Sequence, residues 1–220
     1  ILDDMTLIVA GRGDGVIYAN PDSSYAFGDY LEEGETVTNS FSEIESFDGF
    51  EIFDTSTAVN MKYMFRYFGR NKTNFDINFD HFDTSNVTDM SYMFYFTGGN
   101  SETFSLDLSS FDTSNVTNMS YMFHNAGTNS TTFSINLNSF DTSSVTNMSY
   151  MFCNTGTNSP TFSVNLNDFD TSNVTNMSYM FYNTGKNAET FSLDLSNFVT
   201  SNVTNMSYMF LNTGYNSNVF

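Results

Sequence analysis

The chain is poor in the residues that usually staple or kink a fold. Of its 220 residues one is cysteine, Cys153, two are proline and none is tryptophan. A single cysteine excludes a disulfide framework and a cysteine-based metal site, so stability has to come from packing. An apolar run of about 18 residues is missing, which removes a membrane-spanning helix, as is the charged-then-apolar pattern of a signal peptide. Ile1 in place of an initiator Met fits a processed mature chain or an excised piece. Bases are also scarce: 6 Lys and Arg stand against 25 Asp and Glu, a formal net charge of -19. That balance removes the basic footprint that nucleic-acid phosphate requires and disfavours anionic lipid. It suits a salty or calcium-containing medium, where screening and divalent cations relieve self-repulsion.

What is present is apolar and aromatic. The chain holds 25 Phe, 13 Met and 13 Tyr among abundant Asn, Ser and Thr. Burial of that much aromatic surface offsets the entropy of ordering the chain, which argues for a folded protein.

The organisation is a repeat. Phe53, Phe82, Phe111, Phe140, Phe169 and Phe198 recur at a constant 29-residue spacing and open blocks of the form FDTSNVTNMSYMF, as at 111–123. The block at 53 is the most divergent, and the last loses its Asp. Twelve of the 13 Met fall into two columns, one through Met61 and Met119 and one through Met64 and Met122, with Phe65 and Phe123 directly after. Spacings of three and four place these side chains on one face of a short helical turn. Thr88, Thr117, Thr146, Thr175 and Thr204 precede it as candidate N-caps. The column Gly69, Gly98, Gly127, Gly156, Gly185 and Gly214 follows it as a helix stop.

The second half of each unit alternates, as in Phe191, Leu193 and Leu195 against Ser192 and Asp194. Period two predicts a short strand with one buried face. The expected fold is therefore an α/β solenoid, a right-handed leucine-rich-repeat-like coil of six 29-residue repeats, with a parallel β-sheet on one side and short helical turns on the other.

The block FDTSNVTNMSYMF, followed by Gly and a strand such as FSLDLSNF, resembles the BspA-like leucine-rich-repeat family of bacterial and protist surface proteins over about residues 46–220. The resemblance implies a secreted or cell-surface protein linked with adhesion and host or matrix contact, and not an enzyme. The repeat departs from the family in a longer polar loop, GTNSTTF at 127–133, and in Phe where the strands often carry Leu.

Residues 1–45 lack the repeat and are expected to form an N-terminal cap on the solenoid of 46–220. Residues 1–51 carry 12 acids against Arg12 alone. Val219 and Phe220 reach the column that opens a strand, which raises head-to-tail contact with another copy and a filament as an alternative. Lys62, Arg66, Arg70 and Lys72 cluster in the first repeat. They either pair with the acidic cap or dock an acidic surface of a neighbouring copy.

Asp83, Asp112, Asp141 and Asp170 form a carboxylate column; Asx turns account for it, with calcium binding as the alternative and the one cofactor considered. Sequons include Asn71, Asn86, Asn115, Asn129, Asn173 and Asn202, the long polar loop making Asn71 and Asn129 the foremost glycosylation candidates. Asn71, Asn100, Asn129, Asn158, Asn187 and Asn216 also line up for rung-to-rung hydrogen bonds. Thr55 to Thr200 line up beside the Asp column, where a flat exposed Thr array would order water. Arg12, Gly13 and Asp14 spell an integrin tripeptide that a turn explains equally. His81 and His124 fall in different columns, and the sequence offers no nucleophile with a positioned base and no metal-ligand or phosphate-loop spacing. The expectation is a non-enzymatic extracellular or cell-surface protein for adhesion or contact with proteins, glycans or matrix. The alternative is a structural subunit of an extracellular filament or coat.

Overall fold

A computed structural model describes residues 6–8, 16–29, 41, 44, 46–48 and 50–218. Strand β1 (Thr6–Ile8) pairs in parallel with β3 (Ser46–Asp48), and β2 (Ile17–Tyr18) with β4 (Phe53–Asp54). Strands β5 (Asn74–Ile77), β6 (Thr103–Asp107) and β7 (Thr132–Asn136) form one parallel sheet, and β8 (Thr161–Ser163) and β9 (Thr190–Ser192) a second. The register steps by one repeat: Phe75 faces Phe104, Phe104 faces Phe133, and Phe162 faces Phe191. Parallel neighbours one coil apart make a β-solenoid. Alternation holds within the strands, with Phe104 and Leu106 buried and Ser105 and Asp107 exposed.

The expected helical side is not helical. Among the described residues no α-helix occurs, and the segment through Met119–Gly127 is a spiral of turns. Its N–H groups alternate in destination. Met119, Tyr121, Phe123 and Asn125 donate to Asn147, Ser149, Met151 and Cys153 of the next coil at 2.9–3.0 Å, while Met122, His124 and Ala126 donate three residues back, at 3.0–3.3 Å. The backbone angle explains the difference. Tyr121 and Asn125 both sit at φ +59°, whereas an α-helix needs negative φ at every residue. Such a spiral still brings residues three and four apart to one side, so Met119, Met122 and Phe123 are buried as the spacing predicts. Nor are the threonines before it N-caps. The Thr117 N–H and hydroxyl both donate to the Thr88 carbonyl of the preceding coil, at 2.9 and 3.2 Å. The architecture is thus a parallel β-solenoid of 29-residue coils, its five repeat-face strands split between two sheets, in place of six equivalent strand–helix units.

Columns of like residues fill the core. Phe94 stacks on Phe65 at 5.6 Å and 5°, and Phe181 on Phe152 at 5.6 Å and 2°. Offset rings of this kind add to simple area burial. The glycines of the stop column have φ of 50–55°, as the sequence predicts for a turn end, although no helix precedes them. Thr55, Thr84, Thr113, Thr142 and Thr171 are buried. Each donates its hydroxyl to a carbonyl of the next coil at 2.8–3.0 Å. They are internal ties and not a water-ordering array.

Residues 22–29 extend this ladder toward the N-terminus. Ser23, Phe27 and Asp29 donate to Asn60, Met64 and Arg66 at 2.9–3.0 Å. Phe27 lies on Phe65 at 5.6 Å. The chain there reads Tyr25-Ala26-Phe27 against Tyr63-Met64-Phe65, so part of the expected cap repeats the grammar of a coil.

Candidate functional site

Two surfaces carry chemistry. The first is the outer strand face. Its side chains form a grid: Thr103, Ser105 and Asp107; Thr132, Ser134 and Asn136; Thr161, Ser163 and Asn165; Thr190, Ser192 and Asp194, nearly all exposed. Within a sheet neighbouring strands stand about 4.8 Å apart and alternate side chains share a face, so hydroxyls, carboxamides and carboxylates repeat in register along β6–β7 and again along β8–β9. Side-chain bonds hold it in place. Thr103 donates to Asn74 Oδ1 at 2.8 Å, Asn136 Nδ2 to Asp107 Oδ1 at 2.9 Å, and Asn165 Nδ2 to Asn138 Oδ1 at 3.0 Å. The Ser109 and Ser196 N–H groups donate to Asp107 and Asp194 and hold both carboxyls below their usual range. These groups therefore stay ionised at neutral pH.

The second surface is a tyrosine ribbon on the turn side, which the sequence reasoning passed over. Tyr25, Tyr63, Tyr92, Tyr121, Tyr150, Tyr179 and Tyr208 stack in one column with successive centroids 4.3–4.9 Å apart. All seven have positive φ, between 57° and 60°. The left-handed region costs a side-chain-bearing residue about 1–2 kcal/mol, offset from Tyr25 to Tyr179 by stacking and by the N–H bond that each makes to the next coil. Burial raises the Tyr121 phenol, and raises Tyr95 to about 12. The 29-residue spacing of Tyr63 to Tyr208 is the signal that could have found the ribbon.

At one end of the ribbon stand the predicted bases. Lys62 Nζ lies 5.0 Å from the Tyr63 ring centre, and the Arg66 guanidinium 5.3 Å from Tyr63 and 5.0 Å from Tyr67. The Arg70 guanidinium lies 5.7 Å from Tyr67 and 5.2 Å from Phe96. Aromatic rings are their neighbours on this face. Lys72 donates its N–H to the Gly69 carbonyl at 3.0 Å. The acidic stretch expected to pair with these bases falls largely outside the described residues, as do the Arg12 tripeptide, Val219 and Phe220.

Asp83, Asp112, Asp141 and Asp170 each accept the N–H two residues on, at 2.8–3.0 Å. That is the Asx geometry. Among the described residues no group of three or more His, Cys, Asp or Glu stands close enough to hold a metal ion. The sequon side chains are also engaged. Asn86, Asn115, Asn173 and Asn202 donate Nδ2 to a serine carbonyl of the preceding coil at 2.7–2.8 Å. Asn129 donates to Asn100, and Asn100 to Asn71, at 2.9 and 2.8 Å. In five of these six candidates the nitrogen a glycan would occupy is a ladder donor. Asn71 serves this ladder as acceptor.

His81 lies at an open recess of about 280 Å³ with Glu51 and Asp54. His124 is stacked inside an aromatic column instead, and Cys153 is buried, its thiol pushed up to about 12 by desolvation. In the last described coil Met206, Tyr208, Phe210 and Leu211 are 42–58% exposed. No helix of the described residues is long and apolar enough to cross a membrane.

Neither a curated protein nor a solved structure matches the chain. A family model does, over residues 35–155 and again over 128–219, which together take in the outer strand face and the tyrosine ribbon from Tyr63 to Tyr208. The chain accordingly belongs to the family described as Mycoplasma protein of unknown function, DUF285.

Proposed function

We propose that this chain is a non-enzymatic surface protein that adheres to glycans or matrix outside the cell through its outer strand face. The observation that carries the reading is the grid of exposed Thr, Ser, Asn and Asp side chains on β6–β9. A repeating ligand presents its own hydroxyls and amides at regular intervals. A surface whose polar groups are already fixed by side-chain ladders loses little entropy on meeting it. The resemblance of the FDTSNVTNMSYMF blocks to BspA-like surface repeats supports the reading. On the same reading the array consists of six such units and works in an extracellular setting, where a charge of -19 keeps it soluble.

The test is binding of the purified chain to arrays of glycans and matrix proteins, with Thr132→Lys/Ser134→Lys as the probe variant. Both positions are exposed, so the variant should keep the melting temperature and lose capture. Equal capture by variant and parent would remove the strand face as the contact.

A further inference from the structure

Lys62, Tyr63, Arg66, Tyr67 and Arg70 alternate cation and ring along one coil. Lys62 and Arg66 share the Tyr63 ring, at 5.0 and 5.3 Å, and Arg66 and Arg70 share the Tyr67 ring, at 5.0 and 5.7 Å. A ring attracts a cation without neutralising it. Three like charges are therefore held close together in a chain of net charge -19, and among the described residues no carboxylate pairs with them. The Nε atoms of Arg66 and Arg70 are buried without a hydrogen-bond partner and Tyr25 shares a side-chain hydrogen bond with Arg66, so it is the remaining terminal N–H groups of these half-buried guanidiniums that an oxyanion would meet.

We propose that this comb binds an oxyanion carried on a sugar: a sulfate ester or a sugar carboxylate. Recognition of an acidic sugar needs a cationic fork for the anion, an aromatic surface for the C–H face of the ring, and carboxamides for its hydroxyls. All three meet here. Tyr67 and Phe96 are half-buried and stack at 5.2 Å beside the arginines, and the Asn71–Asn100 pair lies next along the chain, where the Asn100 N–H donates to the Arg70 carbonyl at 2.8 Å. An acidic peptide fits less well. The backbone N–H groups of Tyr67 and Phe96 already bond Tyr95 and His124 of the next coil, which leaves no strand edge for a peptide to extend. A nucleic acid would need a longer basic track than three cations in a chain of net charge -19.

The site lies apart from the strand face, and the two readings fail separately. Binding of the full chain would be measured by calorimetry with a sulfated oligosaccharide, a uronic-acid oligosaccharide, their neutral parent, inorganic sulfate and a poly-glutamate peptide. One or both acidic sugars should bind, at least about tenfold more tightly than the neutral parent, sulfate or peptide, and more weakly as salt rises; which one binds names the anion. Arg66→Tyr and Arg70→Thr place residues that the same columns carry at Tyr95 and Thr128, and each should weaken binding about tenfold. Should either fail to fold, Lys62→Ser, matching Ser91, takes its place. Thr132→Lys/Ser134→Lys should leave this binding intact. Unchanged affinity in the arginine variants, or equal binding of inorganic sulfate or of the peptide, would overturn the proposal.

Discussion

His124 lies flat on Tyr95, with ring centroids 4.9 Å apart and planes 4° from parallel. Its Nδ1 is buried without a hydrogen-bond partner, and desolvation lowers its pKa to about 4 from the ordinary 6.5. As pH falls the unfolded chain takes up this proton first. Stability is therefore full above about 6.5 and is lost progressively down to about 4. The melting temperature should fall between pH 7 and 4, and His124→Tyr, which matches Tyr95 and Tyr182 in the same column, should flatten that slope. An equal slope in the variant would assign the effect elsewhere.

A second acid loss belongs to the Asx carboxylates. The hydroxyl and N–H of Ser114 hold Asp112 below its usual pKa, and Ser172 does the same for Asp170. Depressed carboxyls contribute stability above the unfolded value near 3.8 that disappears as pH drops through the folded one, so this loss lies below the His124 window. Asp112→Asn keeps an acceptor and should cost under about 0.5 kcal/mol, while Asp112→Ala should cost about 0.5–1.5 kcal/mol at neutral pH. Urea melts of the pair would check the order. If both variants cost the same, the acceptor is not what matters.

Thr142 tests the internal ties. Its hydroxyl donates to the Asp170 carbonyl at 2.9 Å, and the residue is fully buried. Thr142→Val keeps the shape but leaves a buried carbonyl short of a partner, a cost of about 1–3 kcal/mol. Thr142→Ser keeps the donor and loses only a methyl. Urea denaturation should therefore rank serine above valine. The reverse order would mean that the column is held by packing.

The period, the buried columns and the strand alternation were legible in the sequence because identical residues recur at one fixed spacing and like packs on like. The turn side was misread for a physical reason. Residues three and four apart, such as Met119, Met122 and Phe123, meet on one side both in a helix and in a spiral of turns, so periodicity alone does not separate the two. Asn125, Asn154 and Asn183 hinted at left-handed backbone, which Asn tolerates, but tyrosine at positive φ has no propensity signature. The coil at residues 22–29 was hidden by an offset: the step from Tyr25 to Tyr63 is longer than the one from Tyr63 to Tyr92, so Tyr25 falls outside the register of the later columns. The cation comb was visible only as a cluster of bases, since sequence spacing does not say that Arg66 and Arg70 share the ring of Tyr67.

Gly127 and Gly99 separate backbone need from mere compactness. Gly127 has φ +53°, and a Cβ there would lie 2.8 Å from ring carbons of both Phe104 and Phe133. Phe104 is fully buried and stacked at 5.5 Å on Phe133, so neither ring yields without disturbing the column. Gly127→Ala should cost about 1–2 kcal/mol for the left-handed backbone and about 1–3 kcal/mol for overpacking. Gly99 lies outside the left-handed region, and a Cβ there would meet its nearest atom, the Phe96 carbonyl oxygen, at 3.3 Å. Its column carries Thr128, Thr157 and Lys186 in later coils, so a side chain is accommodated at the equivalent place. Gly99→Ala should then stay within about 0.5 kcal/mol of the parent. Chemical denaturation of the two variants side by side decides the matter: comparable losses would show that the tight aromatic contact at Gly127 does not limit the fold.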